Sequence, residues 1–440
     1  MRIGIQTWGS EGDIRPFVAL GAALTRRGHD VEMLYTEISQ RSYEHVAAAL
    51  GFKARAVASP VIADREREYE VGLAAIGARD EFSQGLVIFR ELLDPVVEPI
   101  YEAGLDLCSR CDLLIHHFIL HPSRAAADKT GTPQMTVAFA HMLAPSRYIH
   151  PSGLPNFGQW ANRLEWAIAS FALNQTLLKK ANRFRAGKGL PPFRDLLREA
   201  WTSPHLHLLA SSPSFLEPRP ADWPESHQMC GFLELPAHEH ETLSPEVAAF
   251  LDNGPAPVYM GFGSLMPASG EHLSQTVRVF EDAAARANCR AIIQAEVDVS
   301  TSPGASRPSM DRVLFVKRAP HKVVFPRCAA VVHHAGAGTT HTTLRAGTPS
   351  VPVPHVSDQF LWSKELHRLG AAPKAIRRTK WSARALGDRI AETIGNPTIK
   401  QAAVAMSDRM KDDNGPETAA DLIESAFAAR SSLGFAAKAR

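Results

Sequence analysis

Cysteine is scarce. Five residues in a chain of 440 form no obvious disulfide framework, so a reducing cytoplasm is the expected setting. Cys108 and Cys111 form one CxxC, with His116 and His117 close behind. The second ligand pair that a structural zinc site places beyond an intervening loop is missing. "CDLLIHH" therefore reads as a helix end running into a strand, and no metal is expected. Long apolar runs are absent too, which excludes a membrane span. The start, "MRIGIQTWGSEGD", lacks the apolar stretch and small-residue cleavage site of a signal peptide and enters a strand directly. Charge of one sign is not in excess. Lys and Arg number 48 against 46 Asp and Glu, a net +2, without the concentrated basic face of a nucleic-acid binder. What is left is 45% hydrophobic and 21% charged, the make-up of a soluble globular protein long enough for two cores.

Strand and helix patterns alternate along the chain. "RIGIQT" reads as a strand and "PFVALGAALTRRG" as a helix, with Pro16 near its start and Gly28 at its stop. "HDVEMLYT", "CDLLIHHF" and "TPQMTVAFA" read as further strands. The stretch "SSPSFLEPRPADWPESHQMCGFLELP" is rich in breakers, and the pattern restarts after it with "PAPVYMGFGS". "CRAIIQAE", "RVLFVK", "CAAVVHH" and "PSVPVP" follow as strands, with helices such as "DQFLWSKELHRLG" between them. This predicts an α/β protein of two doubly wound, Rossmann-like parallel sheets facing across a cleft. The expected bounds are 1–225 for the first domain, 226–245 for a linker and 246–415 for the second domain. A C-terminal helix, 416–440, is placed to pack back on the first.

The densest chemistry lies in "VVHHAGAGTT", residues 331–340. A strand feeds a helix through Gly336 and Gly338, which let the backbone approach a ligand closely. The free N–H groups of the first helical turn suit an anion. No Lys follows, so this is not a Walker A loop, and His341 stands where GxGxxG needs its third glycine. A dinucleotide dehydrogenase is thus disfavoured. His334 can add a hydrogen bond, or a charge if protonated, to a phosphate. The alternative is a tight turn serving only helix–sheet packing. Downstream, Asp358 and Gln359 in "HVSDQFLW" pair a carboxylate with an amide, suited to neighbouring sugar hydroxyls, although Asp358 could equally cap the next helix.

The run from "RAPH" through "HHAGAGTT" to "SDQ" resembles the donor-binding signature of the family 1 glycosyltransferases. These are two-domain GT-B enzymes that use nucleotide-activated sugars. The wording is closest to the sterol 3-β-glucosyltransferases and the bacterial antibiotic-tailoring enzymes, whose N-terminal signature "GSEGDIRPFVALGAAL" also resembles. The resemblance implies that Ala319 holds the nucleobase through its backbone and that Ser264 reaches the diphosphate. It gives the phosphates to His334, Gly336, Ala337, Gly338 and Thr339, and the donor sugar to Asp358 and Gln359. Two positions depart from the plant pattern. Thr342 replaces a ribose-binding Glu, leaving UDP and dTDP both open, and Arg318 replaces a base-stacking Trp. Where many relatives read Gly-His-x-x-Pro, this chain reads Gly12-Asp13-Ile14-Arg15-Pro16, so the resemblance makes Asp13 the general base. The alternative for Asp13 is a cap on the helix at Pro16.

His116, His117 and His141 end strands of the first half and are candidates to face the acceptor, His116 lying near where plant enzymes place an acidic partner. "EVDVS" comes nearest to Asp-x-Asp but reads as a loop, so a metal-dependent mechanism is not suggested. The long segment "FGQWANRLEWAIASFALNQTLLKKANRFRAGKGL" interleaves Trp160, Trp166 and Phe171 with apolar residues and ends in Lys179, Lys180, Arg183 and Arg185. It reads either as a lid over a lipophilic acceptor that touches a membrane surface or as an ordinary domain helix with a solvated basic end. The function expected is inverting, metal-independent transfer of a hexose, glucose foremost, to a lipophilic hydroxyl. The nucleotide sugar is a co-substrate and there is no cofactor. A nucleotide-sugar epimerase on the same fold and a non-catalytic nucleotide-sugar binding protein are the rivals.

Overall fold

The first strand, β1 (Arg2–Gly9), is buried almost throughout, and each neighbour pairs with it in parallel. Strands β2 (Asp30–Glu37), β3 (Lys53–Ala56), β4 (Leu113–His117), β5 (Gln134–Ala138), β6 (His207–Leu209) and β7 (His227–Met229) complete a seven-stranded sheet. Its order is β3-β2-β1-β4-β5-β6-β7. The order of the chain reverses between β1 and β4, so the loops leaving their carboxyl ends flank the natural ligand crevice of such a sheet. Strands β6 and β7 have three residues each, too short for a periodic signal, and β7 lies in the stretch read from the sequence as a linker. The structure, a computed structural model, describes residues 1–38, 40–151, 156–235, 242–267, 270–295 and 312–432, apart from the side chains of residues 65, 66, 264 and 430–432. The "EVDVS" stretch and the last eight residues lie outside these.

Helix α1 (Glu11–Arg26) returns from β1 to β2. It begins five residues before Pro16, because Ser10 in extended conformation serves as its N-cap. Helices α2 (Val97–Arg110) and α3 (His121–Thr130) pack beside each other. Helix α4 (Gln159–Leu173) runs through a π-helical turn, Asn174–Leu178, into α5 (Lys179–Gly187). The C-terminal helix Gly415–Ser432 belongs to this unit, which comprises Met1–Gly72, Gly85–Leu235 and Asp413–Arg440. It lies on α1, where Arg27 reaches Glu417, Asp421 and Glu424, Arg26 reaches Glu417, and His29 reaches Glu424. Single exposed ion pairs contribute little, but a network on one guanidinium fixes an orientation.

The second unit, Leu73–Gln84 with Pro236–Asp412, has its own parallel sheet. Strands β8 (Val258–Met260), β9 (Ala291–Gln294), β10 (Val313–Val316), β11 (Ala330–His333) and β12 (Ser350–Pro352) lie in the order β10-β9-β8-β11-β12. Alternate residues feed two cores, as a sheet covered on both faces requires. Val258, Met260, Ile293 and Val332 join one with Phe280 of α6 (Gly270–Arg286), while Tyr259, Ile292 and Val331 join the other with Phe325. The switch point here falls between β8 and β11. Beyond β11 and β12 come α7 (Ala337–Arg345) and α8 (Gln359–Arg368). The segment Leu73–Gln84 attaches to this unit by Glu81–Lys364 at 3.4 Å and by the Gln84 amide on the carbonyl of His355 at 3.5 Å.

Candidate active site

At the end of β1 the chain turns through Gly9, with φ +130°. Asp13, in the first turn of α1, folds back over this glycine. Its Oδ2 accepts the backbone N–H of Ser10 at 2.8 Å and the Ser10 hydroxyl at 3.1 Å. A Cβ at position 9 would stand 2.4 Å from Oδ2, so both the backbone angle and the space demand glycine. The other oxygen, Oδ1, lies 3.7 Å from Nε2 of His117 at the end of β4. The His117 ring is buried among Phe17, Phe118 and Phe139. Its Nδ1 lies 3.5 Å from the N–H of Ile119, and Nε2 is the ring nitrogen nearer Asp13. The cap uses one oxygen of the carboxylate and leaves the other toward His117, and the helix that Asp13 helps to cap starts at Glu11 rather than at Pro16.

His117 is the histidine that this geometry brings to Asp13. His116, its neighbour in the strand, points the other way and is fully buried, with Nδ1 on the carbonyl of His117 and Nε2 on the side-chain amide of Gln134. Burial pushes its ring down to about 4, so it stays neutral. His141 is buried as well, hydrogen-bonded to Ser211 at 3.0 Å and stacked on Phe215. Trp160 stands on the outer face of α4 at 85% exposure.

In the second unit, β11 delivers both histidines of the "HHAGAG" run. Nδ1 of His333 accepts the N–H of Ala335 at 3.1 Å and so holds that alanine at φ 62°, a left-handed turn that an alanine adopts only when held. Gly336 follows as the N-cap of α7, and no side chain caps the helix. The first intrahelical bond among these residues runs from Thr340 to Gly336. The N–H groups of Ala337, Gly338 and Thr339 are therefore left for an anion, helped by the helix dipole. The His334 ring lies over Gly336, where a Cβ would come within 2.4 Å of Nε2. It also lies beside Gly263, whose own Cβ would be 3.6 Å from its Cε1. One ring thus bridges the loops after β8 and β11. Burial lowers His334 to about 4, which makes it a neutral hydrogen-bond donor rather than a charge. Ser264 lies in the turn Gly263–Leu265 of the same loop, its side chain outside the described residues.

Among the described residues, three buried ring nitrogens here lack a partner: His333 Nε2, His334 Nδ1 and His355 Nε2. Unpaired buried polar atoms are costly and rare, so their clustering marks a place built for a polar occupant. His355 packs edge-on to Phe262 and is held through Nδ1 by the carbonyl of Val353 at 2.8 Å. Beyond it, Oε1 of Gln359 accepts the N–H groups of His355 at 2.9 Å and Val356 at 3.1 Å. Among the described residues the amide NH₂ of Gln359 has no partner. Asp358 occupies the N-cap position of α8 with helical angles and makes no capping bond. After β10, Arg318 is exposed and Ala319 packs half-buried against the core. Thr342 bonds back to the carbonyl of Gly338 in its own helix. Sequence reading passed over His333, His355 and Gln84. Only the doubled histidine before the glycines carried a signal for the first of them.

Two doubly wound parallel sheets, each with its polar groups at the switch point, define the class of GT-B glycosyltransferases. The crystal structure of the glycotransferase of kitacinnamycin matches this fold with a TM-score of 0.66 at 19% identity, over 97% of this chain and 98% of that one. The family profile described as erythromycin biosynthesis protein CIII-like, C-terminal domain, matches residues 283–425. O-mycaminosyltylonolide 6-deoxyallosyltransferase of Streptomyces fradiae is 30% identical over 442 positions, covering 96% of this chain and 97% of that enzyme. A sterol 3-beta-glucosyltransferase of Arabidopsis thaliana is 26% identical over 431 positions, 96% of this chain and 67% of that one. The chain belongs to the family 1 glycosyltransferases.

Proposed function

We propose that this glycosyltransferase moves a hexose, with glucose the first sugar to test, from a UDP- or dTDP-sugar to a hydroxyl of a lipophilic acceptor. The acceptor is a sterol, a lipid or a natural-product aglycone, which peripheral contact with a membrane would help to reach. The reaction inverts the anomeric carbon and uses no metal ion. The observation that carries the reading is the split carboxylate of Asp13, with Oδ2 tied to Ser10 and Oδ1 directed at His117.

In this mechanism the acceptor O–H gives its proton to Oδ1 of Asp13 as the new O–C1 bond forms. The bond from C1 to the diphosphate oxygen breaks in the same displacement, and its electron pair leaves on the diphosphate. The N–H groups at the start of α7 and the neutral His334 receive that charge, which is the work a metal ion does elsewhere. His117, its Nε2 3.7 Å from Oδ1, backs that oxygen at a distance beyond a direct hydrogen bond. Asp358 and the NH₂ of Gln359 hold sugar hydroxyls, the Ala319 backbone holds the base, and Ser264 assists the diphosphate. The names of the two relatives support a lipophilic acceptor and glucose in one case, and a 6-deoxyhexose in the other.

The test is a matrix of UDP- and dTDP-sugars against lipophilic alcohols, with and without EDTA, read by mass spectrometry and by NMR of the product anomer. A hexose adduct of inverted configuration that survives EDTA is expected. Activity that vanishes on chelation and returns with Mg²⁺ or Mn²⁺, or a retained anomer, overturns the mechanism. An epimerised donor formed without acceptor would favour the rival enzyme.

A further inference from the structure

Helix α4 is inside out. Its buried face carries Asn162, Trp166 and Ser170. These bond to protein: Asn162 to the carbonyl of Arg147, Trp166 to the carbonyl of Ile149, and Ser170 to Asp195. The outward face carries Trp160 at 85% exposure, Leu164 at 63%, Ile168 at 56% and Phe171 at 65%, and Phe157 at 76% lies just before the helix. At 3.6 residues per turn the four helical positions fall within an arc of about 80°, a continuous stripe roughly 16 Å long. An exposed apolar stripe of this size on a soluble domain marks an interaction surface.

Charge identifies the partner. Between residues 156 and 190 there are six Lys and Arg and one carboxylate, Glu165. Three of the cations are neutralised where they anchor the segment: Lys180 on Asp94, Arg185 on Asp128 and Lys188 on Glu98. The other three, Arg163, Lys179 and Arg183, are exposed and have no carboxylate partner among the described residues. We propose that this face of α4 docks on the surface of an anionic lipid bilayer, the stripe entering the headgroup boundary and the unpaired cations meeting lipid phosphates. An amphipathic helix with aromatic and aliphatic residues on one side and Lys and Arg beside them lies in that interface plane. Fifteen residues, about 22 Å, are too short to cross a bilayer, so the helix rests in the surface. A second copy of the chain would oppose cation to cation, and one small acceptor would cover only part of the stripe. The purpose of docking, access to a lipophilic acceptor, rests on the function proposed above. The docking itself does not.

The experiment is co-sedimentation of the full chain with vesicles of phosphatidylcholine alone and of phosphatidylcholine with phosphatidylglycerol, with tryptophan fluorescence in parallel. Binding to the anionic vesicles is expected, with a blue shift from Trp160 and weakening as salt rises. Leu164→Ser/Ile168→Ser should reduce partitioning by at least about tenfold. Lys179→Gln/Arg183→Gln should remove the preference for anionic lipid. The same Leu164→Ser/Ile168→Ser protein should transfer sugar to a water-soluble acceptor at the wild-type rate, which also shows that it folds. Failure to bind either vesicle, or undiminished binding by the serine variant, overturns the proposal. A dimer in light scattering that the serine variant abolishes gives the face to a second copy instead. A raised KM for the soluble acceptor gives it to the acceptor. Vesicle binding without any transfer would leave docking intact and remove the proposed function.

Discussion

Asp13 holds Ser10 with one oxygen and turns the other toward His117, so its proposed role as the base is testable at the scale of one atom. An Asn at position 13 keeps an oxygen to accept the Ser10 N–H, so α1 remains capped, but it accepts no proton at neutral pH. Asp13→Asn should therefore unfold at the wild-type temperature and bind the nucleotide sugar as before, while turnover falls by about 10²–10⁴-fold. The loss should appear in kcat more than in KM, because the missing interaction belongs to the transition state. Stopped assays at saturating donor, beside a melting curve, check both halves. If the variant keeps more than about a tenth of its turnover, Asp13 is a cap alone, since a base contributes at least that much.

In the loop between β12 and α8 one side chain, Gln359, ties the fold and, in the function proposed here, also grips the sugar. Gln359 ties the loop through Oε1 and leaves its NH₂ over. Gln359→Ala strands the N–H of His355, which is buried, and that of Val356, a cost of about 1–3 kcal/mol per buried group, so it should lower the melting temperature as well as transfer. Gln359→Glu retains an acceptor oxygen for both N–H groups and replaces only the NH₂. It should melt near wild type, bind free nucleoside diphosphate normally, and lose transfer. Calorimetry with the free diphosphate against a transfer assay separates the two roles. Wild-type transfer by Gln359→Glu would reduce this residue to a loop tie.

At the scale of the molecule, burial holds a set of histidines neutral. His116, His121, His227 and His334 are pushed to about 4, His333 and His355 to about 3, and His207 well below its ordinary value. In each, loss of solvation for the charged ring is the leading cause. An unfolded histidine titrates near ~6.5, so below that pH the unfolded chain binds protons that the native protein refuses. The stability these rings contribute is complete above about 6.5 and is lost as pH falls toward 4, by up to about 1.4 kcal/mol per pH unit for each ring. Urea midpoints should drop steeply from pH 7 to pH 5, and His116→Gln should flatten the decline. A midpoint level across that range would mean that these rings already carry protons in the folded state.

The sequence by itself determined the periodicity of both sheets, the glycines of the β11–α7 turn, and Asp13 and His334 as candidates. These are local patterns: alternation of apolar runs, a helix start after glycine, a charged residue where a loop leaves a strand. It could not choose between His116 and His117. Adjacent residues of a strand face opposite ways, and in a parallel sheet buried on both sides the phase is not written in hydrophobicity. The tertiary structure decided it, turning His116 to Gln134 and His117 to Asp13. It likewise decided that Ser10 starts α1, that Leu73–Gln84 joins the second unit, and that His333 braces Ala335, because each depends on partners the chain pattern does not name. Helix α4 is the sharpest case. Its aromatic residues were legible but their directions were not: Trp160 and Phe171 face outward with Leu164 and Ile168, while Trp166 turns inward with Ser170, whose hydroxyl, like Asn174, bonds to Asp195 far along the chain.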